Sequence, residues 1–241
     1  VIRVVRVLPE ELNVHGDAEN ALVLARRAEW SGIEASVVDL RPGDALPGFR
    51  PDAVVVGSGT DPMLEQVAAL LAPLAETMRD WVADGVPLLA VGTGFELLAT
   101  DVRTGAGTLA GLGIFPVRVA PLATRATGDL VVRSADRVLV GFESHARGAE
   151  LEAGAVPLGT TVVGVGNGAS AGAGTDGCVA GTAIGTHLHG PVLARNPGLA
   201  DDLLTAIAGS RYDAGNPSAR KADELAAATR ARTAAALGIR V

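Results

Sequence analysis

Solid apolar runs and helically spaced apolar stripes alternate through the first part of the chain, and each change of rhythm marks an element. Val1–Leu8 sets Val and Ile around two arginines and predicts a strand, and Pro9 to Asp17 reads as a loop. Ala18–Ser31 carries Ala21, Leu22, Leu24, Ala25, Ala28 and Trp30 close to helical spacing, with Gly32 as its stop. Ile33–Leu40 predicts a second strand. Ala53–Gly57 predicts a third, apolar on both faces and so central in a parallel sheet. After Ser58-Gly59-Thr60-Asp61-Pro62, with Thr60 or Asp61 placed to cap, a helix runs from Met63 to about Asp84, kinked or split at Pro73. Pro87–Val91 is the next strand. It empties into Gly92-Thr93-Gly94 and a helix through Leu98, a junction that presents one backbone position at the carboxyl edge of an α/β sheet.

From Gly105 the rhythm shortens. Gly111–Val119, Asp129–Val132, Val138–Gly141 and Thr160–Val165 are brief strand-like runs between turns, which predicts a short antiparallel extension. Gly166–Gly177 is a glycine-rich loop without the Lys-Ser/Thr ending of a phosphate loop, and reads as a flexible connector. Val179–Gly185 predicts a last strand, and Leu199–Ala208 a helix. Asn216-Pro217 opens a final Ala- and Arg-rich helix to Leu237, stopped at Gly238 and suited to a surface strut or a docking face. No internal repeat is visible. The fold class expected is therefore α/β: an open, largely parallel sheet flanked by helices, over residues 1–208, with 209–241 as a C-terminal linker and helix.

Composition narrows this picture. The 241 residues are 48% hydrophobic but only 3% aromatic, so the core must be built from Val, Leu and Ala. A net charge of −7 with no basic block argues against nucleic acid and anionic membrane surfaces as partners. No apolar run approaches the roughly 20 residues that span a bilayer. The opening strand is too short and too charged for a signal peptide. A single cysteine, Cys178, excludes an intrachain disulfide framework and suits the reducing cytoplasm.

Candidate chemistry is sparse. The histidines, His15, His145, His187 and His189, all fall in segments read as loops, where a lone histidine is ordinarily solvated. His187 and His189 are two apart and face the same way on an extended backbone. They suit a metal chelate or, for one of them, a general base, but no Cys, Asp or Glu stands beside them in ligand spacing. Cys178 reads as a small buried hydrophobe. At the strand–turn–helix apex sits Gly92, which has no side chain to react.

Five ordered motifs resemble a family. Leu89-Ala-Val-Gly92-Thr-Gly94-Phe-Glu-Leu-Leu98 resembles the Leu-Ala-Val-Cys-Gly-Gly-Tyr-Gln-Leu-Leu elbow of class I glutamine amidotransferases, most closely the CobB/CobQ-like branch and its GatD-type subunits. Leu12-Asn-Val-His-Gly-Asp17 with Arg27-Ala-Glu-Trp-Ser-Gly-Ile33 resembles the N-terminal segment of that family. Gly57-Ser-Gly-Thr-Asp61 resembles its Gly-Gly-Gly-Gln-Asp turn, Gly141-Phe-Glu-Ser-His145 its Gly-Phe-Glu-Asn-His, and Gly185-Thr-His-Leu-His-Gly-Pro191 its Gly-Thr-Tyr-Leu-His-Gly-Pro. The resemblance implies a flavodoxin-like fold, His189 as the catalytic base, and Arg125 as the holder of the glutamine substrate. It also implies Gly57, Gly59 and Thr93 as backbone donors to the oxyanion, and Gly92 at the position of the cysteine nucleophile. No cofactor or metal is implied. Such subunits pair with a Mur-ligase-like (MurT-type) partner that amidates D-glutamate in lipid II. With glycine at the apex, the expectation is a cytoplasmic partner subunit unable to hydrolyse glutamine, with glutamine or another small amine still in question. The alternatives are an active amidotransferase for cell-wall or cobyrinate-type amidation with another nucleophile, Thr93 or Cys178, and a free-standing binding module.

Overall fold

The structure is a computed structural model that describes residues 1–135, 137–168 and 174–240. Its main sheet has six strands in the order β11-β12-β4-β3-β1-β2. These are β1 (Ile2–Val7), β2 (Ala35–Leu40), β3 (Ala53–Val56), β4 (Leu88–Val91), β11 (Cys178–Ala180) and β12 (Ala183–Thr186). Every pairing is parallel except β11 with β12. β3 lies between β1 and β4 with all four residues buried, as its unbroken apolar run predicts. Its side chains alternate between two cores. Val54 and Val56 pack on the face covered by α2 (Leu64–Leu71) and α3 (Ala75–Ala83). Ala53 and Val55 pack on the face covered by α1 (Asn20–Trp30) and α6 (Pro197–Ala208).

The predicted break at Pro73 is real: a single 3₁₀ turn, Ala72–Leu74, separates α2 from α3. The expected loop before α1 is partly helical, with a 3₁₀ segment over Val14–Glu19 in which His15 (φ 71°) and Gly16 (φ 75°) are left-handed. The expected strand Val179–Gly185 is instead the hairpin β11–β12, turned at Gly181.

The antiparallel part is larger than the sequence pattern predicts. β7 (Val117–Ser134) and β8 (Arg137–Leu151) are two long strands paired along most of their length, with the register broken between Pro121 and Ala126. Only the buried stretches of this ribbon look like strands in the sequence; the intervening residues of β7, Leu122-Ala-Thr-Arg125, are mostly solvent-facing and show no apolar–polar alternation. β5 (Asp101–Arg103), β6 (Thr108–Ala110), β9 (Gly159–Val163) and β10 (Thr175–Asp176) complete this second sheet. The glycine-rich connector lies partly outside the described residues, at 169–173.

The last helix, α7 (Pro217–Leu237), has the predicted bounds. The Asn216 side chain accepts from the Ser218 N–H at one end, and Gly238 is left-handed at the other. It packs on α1 and on α5 (Val192–Arg195). Buried Arg27 bridges Asp223 of α7 (2.7 Å) and Asp201 of α6 (2.7 Å). No described helix is long and apolar enough to cross a membrane.

Candidate active site

Three chain segments meet at the carboxyl edge of the main sheet: the turn after β3, the turn after β4 and the segment after β12. The first two are joined directly, because the Gly94 N–H donates to Gly57 O at 3.1 Å. Gly57 is glycine for space: a Cβ there would run into the Leu12 carbonyl. Gly92 is glycine-compatible by conformation, with φ 54° and ψ −120° at the start of α4 (Thr93–Leu97).

His189 leaves β12 fully buried. Its N–H donates to Phe142 O at 2.9 Å, and its Nδ1 lies 2.6 Å from Asp17 Oδ2. Asp17 also accepts the Gly190 N–H at 3.2 Å. The 3₁₀ segment delivers this carboxylate, and Asn13 Oδ1 holds it in place by accepting the Ala18 N–H at 3.0 Å. A ring that donates Nδ1–H to a buried carboxylate keeps its Nε2 lone pair as a base. That Nε2 is buried with no hydrogen-bond partner among the described residues. The ring abuts residue 92, since an ideal Cβ on Gly92 would lie 2.6 Å from His189 Cε1. The ring and the carboxylate that orients it are assembled, and the atom they face is a hydrogen.

The residues expected to supply backbone donors are placed differently. Gly57, Gly59 and Thr93 do converge beside Gly92, but the Thr93 N–H donates to Ser58 Oγ at 3.2 Å. The Thr93 hydroxyl donates to Gly59 O at 3.0 Å. Arg125, on β7, is partly exposed and engaged: it donates to Asp61 Oδ2 at 2.6 Å and to Ser144 O at 2.9 Å. Asp61 in turn accepts from Arg147 at 2.7 Å, and Arg147 reaches buried Glu96 on α4 at 2.7 Å. The sequence pattern gave no sign of this four-member chain of alternating charge. Burial pushes the Asp61 carboxyl up, but the bonds from Arg147 and Arg125 outweigh it and hold Asp61 below its ordinary range.

Two readings of the histidines are corrected. His145, His187 and His189 are buried rather than solvated, and His145 lies within β8 rather than in a loop. His187 and His189 do not chelate together, because each has its own carboxylate. His187 Nδ1 lies 3.2 Å from Asp176 Oδ1, and its ring stacks on His145 at 4.0 Å. Burial and the neighbouring His145 ring lower the pKa of His187. Burial pushes Asp176 up, but hydrogen bonds from His187 and Thr186 outweigh it and hold the carboxyl low. No group of three metal-ligating side chains occurs among the described residues. Cys178 is buried, and burial pushes its thiol up to about 11, far from a reactive thiolate. Asp17 and Ser58 escaped the residue-level reading. Both lie inside recognised motifs, yet only the fold brings them against His189 and Gly92.

Residues 3–197 match the model of the CobB/CobQ-like glutamine amidotransferase domain. The chain is 29% identical over 199 residues to the GatD subunit of the glutamine-hydrolysing lipid II isoglutaminyl synthase of Staphylococcus aureus, covering 82% of this chain and 80% of that one. It is 28% identical over 205 residues to the GatD subunit of Streptococcus pneumoniae, covering 83% and 78%. Among solved structures, a glutamine amidotransferase of Thermotoga maritima superposes with a TM-score of 0.55 over 93% of this chain and 90% of that one, at 15% identity.

Proposed function

The chain belongs to the CobB/CobQ-like glutamine amidotransferase family, and from that premise we propose that it is a GatD-like subunit that no longer hydrolyses glutamine. It works in the cytoplasm beside a Mur-ligase-like partner that modifies the D-glutamate of lipid II-type peptidoglycan precursors. The likeness to the two GatD subunits across most of both chains supports the pathway. One observation carries the loss of hydrolysis: the buried His189–Asp17 pair abuts residue 92, which has no side chain.

Glutaminase chemistry of this family needs an atom at that position to attack the side-chain carbonyl carbon of glutamine. The base takes the proton of the nucleophile and returns it to departing ammonia, and water then cleaves the thioester. A hydrogen atom supports none of these steps. Neither substitute is favoured: the Thr93 hydroxyl is committed to Gly59 O, and the Cys178 thiol is buried on β11. The partner ligase then draws its amine, free ammonia or another small amine, from solution.

The test is glutamate release from glutamine by the purified protein, alone and mixed with a Mur-ligase-like partner. The expected rate equals the protein-free blank in both cases. Release that disappears in His189→Ala overturns the proposal.

A further inference from the structure

Resting on that reading, we infer that Ser58 is the residue that closes the elbow, so that residues 58 and 92 form a matched pair. An ideal Cβ on Gly92 would lie 2.5 Å from Ser58 Oγ and 3.0 Å from Ser58 Cβ, as well as 2.6 Å from His189 Cε1. These separations are far inside van der Waals contact, so a side chain at 92 enters only if a neighbour yields.

Neither neighbour is free to do so. The His189 ring is pinned by Asp17 and packs against the rings of Phe142 (5.4 Å) and His15 (4.8 Å). The backbone of Ser58 is fixed by the Val14 N–H, which donates to Ser58 O at 2.9 Å. Its hydroxyl is held by the Thr93 N–H at 3.2 Å and lies 3.4 Å from Thr93 Oγ1. Rotating that hydroxyl away would leave the Thr93 amide unpaired in a buried site and would still leave Ser58 Cβ in contact. Ser58 therefore has two effects: it fills the volume a nucleophile at 92 needs, and it occupies the backbone donor that follows that position. Loss of the residue 58 side chain removes two of the three close contacts at 92 and leaves the one with His189 Cε1, so a cysteine at 92 is better tolerated and more reactive in that background than beside Ser58.

A double-mutant cycle tests this on the 241-residue protein with Ser58→Gly, Gly92→Cys and the double variant. Gly92→Cys is expected to melt about 5 °C below the parent. The double variant is expected to melt clearly above the sum of the two single shifts. Both cysteine variants carry the same left-handed backbone at 92, so backbone strain cancels and the coupling reports the contact with Ser58. Iodoacetamide supplies the second readout. The thiolate at 92 displaces iodide to form a thioether, located by peptide mass spectrometry with buried Cys178 as the internal unreactive control. Alkylation at 92 is expected to be at least about tenfold faster in the double variant than in Gly92→Cys.

If Gly92→Cys fails to fold while the double variant folds, the pairing stands. If both fail, the same cycle with Gly92→Ala decides. Additive melting shifts or equal alkylation rates overturn the role of Ser58. That outcome leaves the proposed function intact as long as the parent protein releases no glutamate, so the two failures are separable.

Discussion

Two histidines, His187 and His189, leave the same strand two residues apart, and each is buried against a buried carboxylate. They are built for different purposes. Asp176 receives three donors: the Thr186 hydroxyl, the His187 N–H and His187 Nδ1. The His187 ring then lies between Phe95 and His145, in the seam between the two sheets. Among the described residues Asp17 receives His189 Nδ1 and the Gly190 N–H, and its histidine, besides packing on His15 and Phe142, faces the turn after β4. The same pair of residue types is thus a structural post in one place and, under the proposed function, an unused base in the other. What separates them is the surroundings of the other ring nitrogen, since Nε2 of both rings is buried without a hydrogen-bond partner among the described residues.

This contrast is broken or sharpened by four measurements. The largest effect is expected from Asp176→Ala, which strands three buried donors and should lower unfolding free energy by about 4 kcal/mol in denaturant titration. Asp17→Ala strands two, so a loss of about 2 kcal/mol is expected. Equal losses, or the reverse order, would erase the distinction between post and idle base.

Next comes a slope with pH. The folded-state pKa of His187 is depressed below its ordinary 6.5, so the unfolded chain takes up a proton first as pH falls. The stability this neutral ring confers is complete above 6.5 and is lost as pH drops below it, and His15, also depressed, adds in the same direction. A second stage follows below the ordinary carboxyl values of 3.8 and 4.5, where Asp61, Asp176 and Glu143, all held low in the fold, must protonate. Melting curves from about pH 8 to about pH 3 should show both stages, and His187→Gln should flatten the first. The smallest effect is expected from Arg125→Ala. Its pair with Asp61 is partly exposed, at 46% and 38%, so the change in unfolding free energy should stay within about 1 kcal/mol.

Much of the frame was legible in order along the chain. The unbroken apolar run of β3 announced a central parallel strand, Pro73 announced the helix break, and Asn216-Pro217 with Gly238 bracketed α7. These are local signals: the residue that sets the backbone conformation is the residue that is read. The ribbon of β7 and β8 was legible only in fragments. Its stretch from Leu122 to Arg125 carries no apolar–polar alternation and falls where the pairing with β8 is interrupted, so the strand is held by the paired stretches on either side rather than by its own pattern.

The site divides along the same line. By itself the sequence determined that a strand–turn–helix junction ends in Gly92, that His189 follows a strand, and that the turns at Gly57–Asp61 and Gly92–Gly94 belong at one sheet edge, because parallel strand order carries turns of this kind to a common edge. Only the tertiary structure decided that Asp17, 172 residues away, orients His189, that Ser58 fills the space beside Gly92, and that Glu96, Arg147, Asp61 and Arg125 pair off in series. Such contacts join residues far apart in the chain, and their strength depends on burial and distance, which no spacing along the sequence encodes.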